Sequence, residues 1–428
     1  MNTATLNKPA ISSNTAITLT PDQEIALTLL NKFMINPKEQ FFVLSGYSGC
    51  GKSTLIRTFL DALPLYIKMV KLVNPKVFDY TVQLTATTNK AAENLAQITG
   101  SEATTIHSFL GLRVSVDFKT GITKLIAKNS LLIAGCLVII DEASYIDKTL
   151  LGHIKNQLKS CKVIFVGDPA QLIAVKATDA PVFDAKYPGA ALTTVVRQVE
   201  GNPIIELGTM FRHTVNTGIW PQFKPDGKHI QYLNRDDFNE KILQEFTRSD
   251  WHYKDSKILA WTNKCVIDYN NKIRSFISGD PEFVEDDYAI CNSYLSINRK
   301  TIKTDQLVHI SQISKDLTEF DVLGNFFILD SDVRVFVPKT LADRNKRIKK
   351  AKADEDFSAL SYIETSWADL RAAYAQTINK AQGSTYGSVF IDLDDISRCN
   401  IGDSIARMLY VATTRAKNHV FLTGDISK

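Results

Sequence analysis

One short stretch constrains the fold of this chain more than any other. Four apolar residues, Phe41-Phe42-Val43-Leu44, lead into Gly46-Tyr47-Ser48-Gly49-Cys50-Gly51-Lys52-Ser53. The second segment fits GxxxxGK[ST], and a helix-forming segment over residues 54–62 follows it. Glycines let such a turn curl so that its N–H groups and the helix N-terminus face phosphate oxygens. The curl needs a strand before it and a helix after it. It therefore predicts an α/β sheet with ligand-binding loops at the strand C-termini.

Two more runs share the character of Phe41–Leu44. Leu137-Val138-Ile139-Ile140 ends in Asp141-Glu142, and Val163-Ile164-Phe165-Val166 ends in Gly167-Asp168. Apolar runs followed by small or acidic residues are typical of central parallel strands covered on both faces. A helical pattern over residues 90–98 lies between them. A second set, Ile258-Leu259-Ala260-Trp261, Val389-Phe390-Ile391 and Val420-Phe421-Leu422, predicts a second α/β domain. Two stretches break the alternation. Residues 112–127 alternate polar and apolar around Lys119-Thr120-Gly121 and read as a β-hairpin. Residues 286–340 hold short runs such as Leu307-Val308-His309-Ile310 and Val333-Arg334-Val335-Phe336-Val337, which predict a small inserted β-barrel.

A chain of 428 residues is long enough for two to four domains. With 44% hydrophobic and 22% charged residues it has the mix of a soluble protein with real cores. A formal charge of only +4 means that any nucleic-acid site must be a local basic channel. Cys50, Cys136, Cys161, Cys265, Cys291 and Cys399 are scattered, without a CxxC pair. They read as incidental thiols of a reducing cytoplasm, not as a zinc site or a disulfide framework. No apolar run approaches the ~20 residues of a membrane span, and residues 1–17 read as a loose tail without a signal pattern. The run over residues 344–352 has six basic residues and is followed by Asp354-Glu355-Asp356. A solvated helix of mixed charge is the favoured reading, and a DNA-facing arm the other.

The phosphate-binding segment assigns roles. Lys52 would place its ammonium between β- and γ-phosphates, and Ser53 would ligate Mg²⁺. Asp141 would hold the metal, and Glu142 would orient or deprotonate the attacking water. An Asp-Glu pair at a strand end is by itself more often a helix cap with a first-turn acid. The phosphate-binding turn upstream favours the catalytic reading. Gln171, in Gly167-Asp168-Pro169-Ala170-Gln171-Leu172, can hydrogen-bond the γ-phosphate or the water. Arg197 and Arg415 are candidates for stabilising charge on the γ-oxygens, worth ~10³–10⁵ in rate. Either arginine taken alone is more often a surface ion-pair residue.

Taken in order, these segments resemble superfamily 1 helicases over roughly residues 18–425, and within them the 5′→3′ class of the Dda-like and RecD-like enzymes. Carrying the resemblance are Leu19-Thr20-Pro21-Asp22-Gln23, the phosphate-binding turn, Leu84-Thr85-Ala86-Thr87-Thr88-Asn89-Lys90 and Thr104-Thr105-Ile106-His107-Ser108-Phe109. Asp141-Glu142, Gln171, Arg197 and Ala260-Trp261-Thr262-Asn263-Lys264 follow. Thr377-Ile378-Asn379-Lys380-Ala381-Gln382-Gly383-Ser384 and Tyr410-Val411-Ala412-Thr413-Thr414-Arg415 close the series. The stretch after Gln171, Leu172-Ile173-Ala174-Val175, lacks the aromatic that the 3′→5′ class places there. Asn379 stands where the family usually has His, and Ala174 where the class often has Pro.

The resemblance implies two RecA-like P-loop domains, with ATP and Mg²⁺ between them. The first is expected over residues 18–198, with a pin hairpin at about 110–130. The second spans 199–285 and 366–428, interrupted by an SH3-like barrel over 286–365. ATP would be bound by Gln23, which reads adenine, by Gly46, Ser48, Gly49, Cys50, Gly51, Lys52, Ser53 and Thr54, and by Gln382 and Gly383. Single-stranded DNA would lie on Thr88, Asn89, Thr105, His107, Thr262, Asn263, Thr377 and Asn379. Neutral groups suit a motor that must grip and release phosphates. Each Thr is equally compatible with a helix cap, and His107 with a structural role. Phe118, near the hairpin tip, would stack on a base or wedge a duplex fork. The competing reading is that it packs beneath the hairpin. A cytoplasmic monomer acting in phage-type replication or recombination is expected, with a single-strand-binding protein or replisome proteins as candidate partners. Alternatives are a DNA-stimulated ATPase that strips proteins without processive unwinding, a recombination accessory module, and a small-molecule kinase. The kinase explains the phosphate turn but not Gln171, Arg197, Gln382 and Arg415 spread over two domains.

Overall fold

The computed structural model describes residues 18–116, 123–127, 132–173, 180–196, 201–298 and 300–426. The first domain is a six-stranded sheet. Its strands are β1 (Phe41–Gly46), β2 (Thr81–Ala86), β3 (Ala103–Thr105), β6 (Cys136–Asp141), β7 (Lys162–Gly167) and β8 (Gly189–Leu192). They run in the order β3-β2-β6-β7-β1-β8, and every pairing is parallel. Successive side chains of a strand point to opposite faces, and here both faces are covered. Leu137, Ile139, Ile164 and Val166 pack with Leu30, Phe33, Leu55 and Phe59 of the helices Pro21–Ile35 and Lys52–Val73. Val138, Ile140, Val163 and Phe165 pack on the other side with Leu150 and Ile154. This is why β6 and β7 read as unbroken apolar runs.

Between β3 and β6, β4 (Leu112–Val116) and β5 (Thr123–Ala127) pair antiparallel, with Leu112 opposite Ala127 and Val116 opposite Thr123. The Lys119-Thr120-Gly121 turn and Phe118 lie outside the described residues. The ladder is tied to the domain at its middle pair, where a ring nitrogen of His153 lies 3.2 Å from the Leu125 carbonyl.

The second domain repeats the first architecture. β9 (Ile230–Tyr232), β10 (Ser256–Ala260), β18 (Ala375–Thr377), β19 (Tyr386–Asp392) and β20 (Ala416–Thr423) are ordered β18-β10-β19-β20-β9, all parallel. A β-rich unit interrupts it after the helix Asn263–Ser278. Its sheet has the order β16-β15-β14-β11-β17, from β11 (Tyr288–Cys291), β14 (Gln306–Glu319), β15 (Val322–Leu329), β16 (Val333–Pro338) and β17 (Leu370–Arg371). A two-stranded ladder of β12 (Leu295–Ile297) and β13 (Lys300–Ile302) accompanies it. Phe320 and Asp321 both have positive φ, 48° and 63°, which fits the two-residue hairpin turn joining β14 to β15. The sequence reading closed this unit at residue 365. The pairing of β17 with β11 extends it through Arg371, because Leu370 and Arg371 complete the insertion's own sheet.

The basic run forms the helix Leu341–Ala353, capped by Thr340. Arg347 donates to the Phe320 carbonyl (3.1 Å) and lies over its ring, while Lys346, Lys349, Lys350 and Lys352 are exposed. No helix among the described residues is long and apolar enough to cross a membrane.

Candidate active site

Parallel strands in this order bring three chemically distinct loops to one edge. The phosphate turn follows β1, the Asp141-Glu142 pair ends β6, and the Gly167–Leu172 loop follows β7, which lies between those two strands. Gly49 and Gly51 adopt φ of 83° and 77°, a region that side chains resist, so the curl requires glycine here. The Lys52 ammonium bends back onto the carbonyls of Gly46 (2.7 Å) and Tyr47 (2.8 Å). Ser53 and Thr54 start the helix behind it. Cys50 is buried, with its side chain against Gly46. Gln23 is 4% exposed and joins the first helix to this turn: its amide N–H donates to the Cys50 carbonyl (3.0 Å), and its carbonyl accepts the Thr20 N–H (3.0 Å).

Glu142 has φ 53°, left-handed backbone for a residue that disfavours it, the kind of strain that concentrates at functional sites. Burial first, and the adjacent Glu142 carboxylate second, push the Asp141 carboxyl up to about 7. Two hard carboxylates lining the same cleft as Ser53 are suitable Mg²⁺ donors. They are too few to cage the ion without phosphate oxygens, which is how Mg²⁺ is usually held at nucleotide sites. No cluster of three or more His, Cys, Asp or Glu side chains able to hold a metal occurs among the described residues. The donor set therefore fits a metal that arrives with its nucleotide.

The second domain completes the site. The Arg415 guanidinium donates to the Ser48 hydroxyl (3.1 Å). The Gln382 amide donates to Glu142 Oε2 (3.0 Å) and to the Ser144 hydroxyl (3.3 Å). Gly383 accepts from the Asn94 amide through its carbonyl (2.5 Å). Gln171 is 4% exposed, and its side-chain carbonyl has no hydrogen-bond partner among the described residues. A buried polar atom left so is costly unless something else meets it. A cleft of about 680 Å³ is lined by Gly49, Lys52, Asp141, Glu142, Gln171 and Arg415, a volume in the range of small-molecule sites. Arg197 lies outside the described residues.

The structure adds residues to which sequence reasoning gave no role. The Tyr410 hydroxyl donates to the Asp168 carboxylate (2.5 Å) and accepts the Ser48 N–H (3.0 Å). Arg407 donates to the carbonyls of Pro169 (2.6 Å) and Gln171 (2.8 Å). Arg407, Tyr410 and Thr414 are spaced as one helical face. That spacing was the available signal, but nothing in sequence says what the face meets.

The candidate DNA residues gather at four strand-to-helix steps, two in each domain. Thr88 after β2 accepts the Ala91 N–H (3.2 Å), and Thr105 at the end of β3 accepts the Ser108 N–H (3.1 Å). Thr262 after β10 accepts the Cys265 N–H (3.2 Å) and donates to Asp395 Oδ1 (2.5 Å). Thr377, at the end of β18, caps no helix through its side chain. Three of the four hydroxyls are thus helix caps. The Asn263 side-chain carbonyl accepts from Arg371 (2.7 Å), and Asn89 is half-buried. His107 is also half-buried, and burial lowers its pKa. Asn379 is placed through its backbone, whose carbonyl accepts the Tyr145 hydroxyl (3.0 Å).

A phosphate turn facing an arginine from a second parallel-sheet domain defines a two-domain P-loop NTPase. Residues 18–215 match a family described as an AAA domain, and residues 372–423 match the UvrD-like helicase C-terminal domain. The chain is 25% identical to the ATP-dependent DNA helicase dda of Enterobacteria phage T4, over 94% of this chain and 98% of that protein. It is 30% identical to the RecBCD enzyme subunit RecD of Buchnera aphidicola, over 42% of this chain and 30% of that one. A solved structure of Pif1 helicases acting at forked duplex DNA shares the fold at 17% identity, covering 95% of this chain and 92% of that one, with a TM-score of 0.51. The chain is homologous to the Dda and RecD helicases of superfamily 1.

Proposed function

We propose that this protein is an ATP-dependent DNA helicase that translocates 5′→3′ on single-stranded DNA and separates duplexes. One observation carries the mechanism. Arg415 and Gln382 of the second domain reach Ser48 and Glu142 of the first, so the hydrolytic site is complete only when the cleft is closed. A site built across a cleft links nucleotide occupancy to domain position, and domain position decides which of the four strand-to-helix steps grips the strand. A kinase has no need of this second half. Homology to Dda and RecD points to DNA as the track and to 5′→3′ as the direction.

In this reading Lys52 and the turn from Gly46 to Thr54 bind the phosphates, and Gln23 faces the base. Ser53 and Asp141 hold Mg²⁺, which neutralises charge on the phosphates when bound. Glu142 orients and deprotonates the water, Gln171 positions it, and Arg197 and Arg415 stabilise the charge that develops on the γ-oxygens. The β4–β5 ladder serves as the pin, with Phe118 at the fork, and the inserted β-rich unit is an SH3-like barrel bracing it. Thr88, Asn89, Thr105, His107, Thr262, Asn263, Thr377 and Asn379 line the strand, with helix N-termini supplying N–H groups to its phosphates. The protein works as a cytoplasmic monomer on single strands and forks during replication or recombination. The test is ATP hydrolysis with and without single-stranded DNA, beside strand displacement. DNA-stimulated hydrolysis with displacement is expected. Stimulated hydrolysis without displacement would favour a protein-stripping translocase.

A further inference from the structure

Asp168 is fully buried, and two of the groups that meet its charge come from the other domain. It accepts the Tyr410 hydroxyl at 2.5 Å, and Arg212 Nε lies 3.9 Å from it. Among the described residues, its hydrogen-bond partner within the first domain is the Ala170 N–H at 3.0 Å. Tyr410 and Arg212 sit on the helices Gly402–Thr413 and Pro203–Thr217, which pack together through Leu207, Phe211, Leu409 and Val411. Gly208 makes that packing close, since a Cβ there would lie 3.0 Å from the Thr414 methyl. The two helices therefore move as one body. Tyr410 also accepts the Ser48 N–H, so one hydroxyl touches the phosphate turn and the loop after β7 at once. Burial and the Asp168 charge hold that hydroxyl far above its ordinary pKa, so it remains a donor.

We propose that Tyr410 and Asp168 form a latch between the two domains that couples ATP hydrolysis to strand movement, a positioning role distinct from that of Arg415. Opening the cleft removes the tyrosine hydroxyl and the Arg212 guanidinium from Asp168 together, leaving a carboxylate that must be rehydrated. A buried charge stripped of partners is strongly disfavoured, so intermediate openings are penalised and the cleft has two discrete states. A two-state element of this kind is what converts a local event at the phosphate turn into a domain step. The role in coupling rests on the helicase reading above; the latch itself does not.

Two measurements test it on the full chain. In small-angle scattering of the nucleotide-free protein, Tyr410→Phe and Asp168→Asn should each raise the radius of gyration over wild type, with the circular-dichroism spectrum of the folded protein retained. In activity assays, base pairs unwound per ATP hydrolysed should fall about fivefold or more in Tyr410→Phe, with the KM for ATP within about twofold of wild type. The double variant should be no worse than the weaker single, as for two partners of one interaction. A wild-type radius in both single variants overturns the latch. A wild-type ratio of unwinding to hydrolysis overturns its coupling role, whether the two activities stay normal or fall together. If the wild type neither unwinds nor shows DNA-stimulated hydrolysis, the helicase reading fails, and the scattering result still decides the latch.

Discussion

At the scale of single residues, chemistry fixes identity where it also fixes spacing. That Lys52, Ser53, Asp141 and Glu142 would meet at one cleft was legible, because a phosphate turn and a strand-end acid pair allow few alternatives. Asp168 and Tyr410 stand 242 positions apart, and their contact exists only after both domains fold. The threonines proposed to contact DNA fall between these cases: Thr88, Thr105 and Thr262 do cap helices, and sequence could not separate that duty from a phosphate contact. We expect Glu142→Gln to lower ATP turnover by ~10²–10⁴ and Arg415→Ala by ~10³–10⁵, with nucleotide still bound by Glu142→Gln in a fluorescent-nucleotide titration. Near-normal hydrolysis in Glu142→Gln would remove the assigned base. A separate residue reports on stability. Lys257 on β10 is buried, donates to the Ala373 carbonyl, and has its pKa pulled down by burial to about 7. The folded state thus binds fewer protons than the unfolded chain between about 7 and the ordinary value of 10.5, so stability rises with pH across that window. Lys257→Met should raise the melting temperature more at pH 6 than at pH 10. An equal shift at both would mean that the ammonium is not penalised.

At the scale of elements, hydrophobic pattern was the reliable guide. β6 and β7 were legible as continuous apolar runs because both faces of the sheet are covered, and the β4–β5 ladder as alternation. The end of the inserted unit was not legible. β17 is two residues long, and what recruits it is the free edge of β11, which only the folded sheet presents. The β4–β5 ladder lies between β3 and the Asp141 strand in the chain, and none of its described residues lines the cleft. Shortening residues 116–122 to a two-residue turn, or changing Phe118→Ala, should therefore cut duplex unwinding far more than DNA-stimulated hydrolysis. A lost base stack of ~1–3 kcal/mol at the fork is the expected scale. Equal loss of both activities would show that the ladder only holds the first domain together.

For the whole molecule, two parallel sheets face one cleft, and residues of both complete its chemistry. The order of segments along the chain made this architecture legible. The particular contacts across the cleft, Arg415 to Ser48, Gln382 to Glu142 and Tyr410 to Asp168, belong to the folded pair of domains alone. A motor of this design has one direction, set by which domain leads. The measurement that tests it most directly compares unwinding of two duplexes identical except for a 5′ or a 3′ single-stranded tail, with ATP and Mg²⁺. The account predicts that the 5′-tailed duplex opens while the 3′-tailed one stays largely closed. Preference for the 3′ tail, or opening of neither while ATP is hydrolysed, would contradict it.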